Sequence, residues 1–113
     1  MTIDWNAIVK DVEAQVLALA EEILKEYARE AKLDVVNFLE NSKQRLIKWG
    51  TMTATGELDK DEFQSLVRGQ LDLAELHALK QTGLAQVRLD MFKNGVVKIV
   101  TSVVMIAAKG MVQ

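Results

Sequence analysis

The chain has 113 residues, half of them apolar and 27% charged, with a formal net charge of −2. That is one domain's length with material for a real core, which excludes a disordered polyampholyte, and no basic excess points to nucleic acid. Cysteine and proline are both absent, which rules out disulfides and thiolate sites and favours long helices over turn-rich β structure.

The first predicted element is a helix from about residue 4 to residue 49. Apolar residues recur at Trp5, Val9, Val12, Val16, Ala20, Ile23, Tyr27, Ala31, Val35 and Phe38, in steps of three and four. That spacing matches the helical repeat of about 3.6 residues. A second stripe at Ile8, Leu17, Leu24, Ala28, Leu39, Leu46 and Ile47 widens the apolar face beyond a coiled-coil seam. Asp4 can cap the start. Lys43, Arg45 and Lys48 complement the dipole at the end, and Gly50 reads as a left-handed stop. The stripe weakens at Asn41-Ser42, a candidate break. Within this helix Glu21, Glu22, Glu26 and Glu30 interleave with Lys25 and Arg29, giving the i,i+4 pair Glu21–Lys25 and the i,i+3 pair Glu26–Arg29 on a solvated face.

Thr51 to Gly56 reads as a loop rich in threonine and bounded by glycine. Asp59 and Glu62 then form the sequence of a capping box, with Leu58 and Phe63 placed as its hydrophobic staple. The stretch from Thr51 to Glu62 shares its spacing with a calcium-binding loop. Its first, third and fifth positions are Thr51, Thr53 and Thr55, however, and hydroxyls do not supply the carboxylates that calcium needs.

The second long helix is expected from about residue 59 to residue 109, with Gly83 as a candidate break and Asn94-Gly95 as a weaker one. An uninterrupted helix of about 45 residues would be roughly 68 Å long at 1.5 Å per residue. Two such helices side by side leave apolar surface uncovered. The predicted architecture for residues 1–113 is therefore a single all-α domain. Its favoured core is a long antiparallel hairpin that completes a four-helix-type bundle by self-association; breaks near Asn41 and Gly83 would instead let the chain fold back into a compact monomeric bundle.

The run from Val96 to Ala108 is apolar on nearly every side of a helix. Lys98, Thr101, Ser102, Met105 and Lys109 make a narrow polar strip along it. A central bundle helix is the expected role. The run falls short of the roughly 20 residues that span hydrocarbon, so a membrane contact would be at the surface. Trp5, Tyr27, Trp49, Phe92, Val96, Val100, Val103 and Ile106 are the candidate interface residues, tryptophan and tyrosine being enriched in binding hot spots. His77 is the single histidine. No carboxylate stands three or four residues from it, which argues for a solvent-facing or structural role. There is no phosphate loop, nucleophile elbow or zinc signature, and no catalytic, cofactor or metal residue is assigned. The start of the chain lacks the basic and apolar run of a signal peptide, so a cytoplasmic location is expected. The function expected from these residues is a non-enzymatic, self-associating protein-interaction or assembly module. The alternative is a bundle that binds a small molecule or membrane lipid through its apolar C-terminal helix.

Overall fold

A computed structural model describes residues 3–112. All its regular elements are helical: α1 Trp5–Ile23, α2 Ala28–Ala54, α3 Lys60–Leu73, α4 His77–Gln81 and α5 Gln86–Val112, with a 3-10 turn at Lys25–Tyr27. Their packing gives a body of 44 × 23 × 21 Å, far shorter than an unbroken second helix would be. The chain achieves this by breaking at Gly83, as expected, and at two further places that the sequence did not indicate.

The first break lies at Leu24–Tyr27 rather than Asn41-Ser42, which sits inside α2. Lys25 takes a left-handed φ of 50°. Glu21 and Glu22 occupy the last turn of α1, and no basic residue is there to offset the carbonyl ends. Glu30 falls instead in the first turn of α2, where a carboxylate is favoured. The corner also carries a tertiary cap. Arg88, near the start of α5, donates from Nε and Nη2 to the Ile23 carbonyl at 3.3 and 3.0 Å. Its guanidinium lies 6.0 Å from the centre of the Tyr27 ring, within cation–π range. Because the connection is so short, α2 folds back along α1 as an antiparallel neighbour. The left-handed break at Lys25 interrupts the helical spacing on which the expected Glu21–Lys25 pair depends.

α2 does not stop at Gly50 but runs on to Ala54. Thr51 and Thr53, assigned to a loop, donate their hydroxyls to the Ile47 and Trp49 carbonyls one turn back, each at 2.8 Å. The stop is Gly56, with φ 87°. The Gly56 amide donates to the Thr53 carbonyl, and the Glu57 amide donates to the Met52 carbonyl. These two bonds make a Schellman end. Beyond it the capping box forms as expected: Glu62 N–H donates to Asp59 Oδ1 at 2.8 Å, and Asp59 N–H donates to Glu62 Oε1 at 3.0 Å. Asp4 likewise caps α1, accepting from the Ala7 amide at 3.2 Å.

The second half breaks twice. The break at Gly83 is the expected one, and its φ of 76° explains the glycine. The break at Ala74–Leu76 has no glycine and separates α3 from α4. α5 then continues unbroken through Asn94-Gly95 and packs against α1, α2 and α3. Phe92, Val96, Val97, Val100 and Val104 are fully buried. The apolar run from Val96 to Ala108 is thus covered mainly by helices of its own chain. Lys98, Ser102 and Lys109 face outward, while Thr101 of the same strip is buried. On the α3 side, Arg68 donates to Asn94 Oδ1 at 2.6 Å and Lys93 meets Asp72 at 2.8 Å.

Gly50 and Gly95 are contact points between helices. A Cβ at Gly50 would lie 2.6 Å from Val104 Cγ1, and one at Gly95 would meet Leu19 Cδ2. Val104 is β-branched, stiff and fully buried. Leu19 is half-buried and flexible at its tip. Gly50→Ala is therefore expected to lower stability by about 1–2 kcal/mol, the overpacking cost of about 1–3 kcal/mol being partly offset by helix propensity. Gly95→Ala is expected to be near neutral. Thr101 has the opposite problem, a buried hydroxyl with no protein partner. Thr101→Val is expected to raise stability by about 1 kcal/mol. Urea unfolding midpoints of the three variants check all three outcomes.

Candidate functional site

A polar groove of about 480 Å³ lies between α2 and the corner joining α3 to α4. One wall is the α2 face carrying Asp34, Asn37, Phe38, Asn41, Ser42 and Arg45. These positions recur at helical spacing, so one side of α2 lines the whole groove. Gln70 and Leu73 of α3 and the connecting residues Ala74, Glu75 and Leu76 form the opposite wall, with His77 at one end.

The groove exists because α3 stops at Leu73 and the chain turns into α4. A five-residue helix has little stability of its own, and Leu76 at its N-cap position has no side-chain acceptor. Asp34 supplies one from another helix. Its Oδ1 accepts from the Ala78 amide at 3.1 Å and its Oδ2 from the Leu79 amide at 2.8 Å. These are the second and third amides of the helix, the groups an N-cap side chain normally satisfies. Asp34 is the one acidic residue in the buried set, and both its oxygens are engaged. The Asp34 carboxylate thus has a structural task, and sequence reasoning did not find it. The available signal was an acid at a position flanked by Ala31, Val35 and Phe38 on the apolar side of α2.

His77 does have a carboxylate partner, contrary to the expectation from helical spacing. Its Nε2 lies 3.0 Å from Glu75 Oε2, two residues away. The contact forms because Ala74–Leu76 is not helical. Both side chains are well exposed, at 73% and 68%, so the pair lies at the groove's mouth. At the other end Arg45 Nη1 is 3.5 Å from Gln70 Oε1, long for a hydrogen bond. Asn37 and Asn41 lie between the two ends.

Most of the eight candidate interface residues are placed elsewhere. Phe92, Val96 and Val100 are fully buried, and Trp5 and Val103 nearly so. Tyr27 and Trp49 are half-buried and pack on the same core. Ile106 alone stands clear, 72% exposed. Among the described residues, the other strongly exposed large apolar side chains on α5 are Val87 and Met91, one turn apart near its start. By length and composition Gln86–Gly110 is apolar enough to cross a membrane. Here α5 turns one side inward against α1, α2 and α3. Among the described residues no group of three or more histidine, aspartate or glutamate side chains is placed to hold a metal ion.

Comparison with protein-family models, with curated proteins and with solved structures finds no match to this chain.

Asp34→Ala would leave the buried Leu79 amide and the part-buried Ala78 amide without their acceptor, a buried unsatisfied donor costing about 1–3 kcal/mol. The expected result is a loss of about 2 kcal/mol or more in urea unfolding. Amide exchange at Ala78 and Leu79 should quicken more than exchange in α1.

Proposed function

We propose that this protein is a non-enzymatic interaction module and that the groove between α2 and the α3–α4 corner is its recognition surface. The observation that carries this reading is the division of labour among the groove's side chains. Asp34 is committed to the end of α4, and Glu75 and His77 face each other at the mouth. Asn37, Asn41 and Gln70 offer amides, each with donors and an acceptor. Such a lining suits reversible recognition by hydrogen bonds. Leu73, 77% exposed, adds an apolar contact at the rim.

Self-association is a second reading, and its support has changed. From the sequence it rested on apolar surface that two long helices leave uncovered. With five helices the chain covers most of that surface itself. What favours it now is the outer side of α5, where Val87, Met91 and Ile106 are exposed. A lipid or small-molecule role for α5 would draw on the same three residues.

The two readings separate by experiment. Asn41→Trp fills the groove without touching the outer side of α5. A protein partner bound by the wild type is expected to be lost by this variant and retained by Met91→Glu. A partner that binds Asn41→Trp as well as the wild type would overturn the groove reading. Sedimentation at micromolar concentration tests the second reading: a species of one-chain mass removes it, and an oligomer dissolved by Met91→Glu supports it.

A further inference from the structure

Arg45 is the groove's cationic side chain without a carboxylate partner among the described residues, and this indicates what it binds. Asp34 gives both oxygens to backbone amides. Glu75 Oε2 lies 3.0 Å from His77 Nε2. Arg45 has no carboxylate within 4.0 Å among the described residues. Its polar contact is the neutral Gln70 amide oxygen at 3.5 Å. A guanidinium carries five donors in a planar fork that matches a carboxylate, and here the fork is largely unused. Ser42 lies one turn from it on the same groove wall, and Lys48 follows Arg45 one turn further along α2. The guanidinium donors at this end are therefore left for a bound group.

Resting on the groove reading above, we infer that the groove takes an extended polypeptide segment that carries a carboxylate, held by Arg45. The stretch of α2 from Asp34 to Arg45 spans about 16 Å at 1.5 Å per residue. That length accommodates about five extended residues at 3.3 Å each. An open trench of this length does not enclose a small anion. The amides of Asn37, Asn41 and Gln70 lie along it, where a bound segment presents alternating N–H and C=O groups. Arg45 fixes the segment's direction by holding the carboxylate at one end, and Leu73 meets an apolar side chain toward the other.

The experiment is selection from a library of random heptapeptides with free C-termini, using the whole chain as bait. Anisotropy titrations of the enriched peptides against wild type, Arg45→Gln and Asn41→Trp follow. The expected result is enrichment of peptides with an acidic residue or a required terminal carboxylate. Arg45→Gln should weaken their binding at least 10-fold while keeping the wild-type helical spectrum, and Arg45→Lys should recover only part of the loss. Peptides that bind Arg45→Gln as tightly as wild type, yet fail on Asn41→Trp, would overturn the carboxylate inference and leave the groove reading standing. No enrichment, or binding untouched by Asn41→Trp, would overturn both. Succinate competing as strongly as the enriched peptide would overturn the polypeptide assignment in favour of a small anion.

Discussion

A helix that ends leaves backbone groups without partners, and a chain that breaks its helices several times must pair them. This protein does so partly across the fold. The Arg88 guanidinium holds the Ile23 carbonyl where α1 ends, and the Asp34 carboxylate holds the Ala78 and Leu79 amides where α4 begins. The first interaction braces the corner at which α1 folds back along α2, and the core forms between these helices and α5. The second fixes α4 against α2 and so positions one end of the groove. Both put a charged side chain on a backbone dipole, where a hydrogen bond is stronger than between neutral groups.

The same contrast explains what was legible in the sequence. Three helix ends with local partners could be read directly, although the equally local end of α2 at Gly56 was hidden behind Gly50. Asp4 caps α1, Asp59 and Glu62 make their capping box, and Gly83 turns the chain. Helix ends with remote partners could not. Nothing near Ile23 announces Arg88, 65 residues later, and nothing near Leu76 announces Asp34. The apolar stripe from Trp5 to Phe38 even conceals the first corner. The inward-facing residues on the two sides of the corner, Ala20, Leu24, Tyr27 and Ala31, happen to keep three- and four-residue spacing, so the stripe runs through it. Glycine misleads for a related reason. Gly50 and Gly95 resemble punctuation, yet each is a place where a neighbouring side chain sits too close for a Cβ. Local sequence does not distinguish a residue that ends a helix from one that lets another helix approach.

The candidate site was less legible than the fold. Its residues come from α2, α3 and the turn before α4, and none belongs to a motif. Arg45 reads as a charge at a helix end, and Asn41 and Ser42 as a weak place in a stripe. They acquire a common role only because α3 stops at Leu73 and faces them. The interface residues suggested by size and apolarity are mostly spent on the core, as expected for large side chains on the inward stripes of a chain that covers itself.

The Arg88 cap has a further consequence, for the order of events in folding. Its two ends are separated by more than half the chain, and synthesis delivers α5 after every element it packs against. Until then, the α1–α2 corner lacks its cation, and the inner faces of both helices lack Val96, Val100 and Val104. Contacts this distant in sequence close large loops and form late. The nascent N-terminal portion therefore emerges as a helical pair with a bare apolar side. Docking of the last helix is the step that both covers that side and locks the corner.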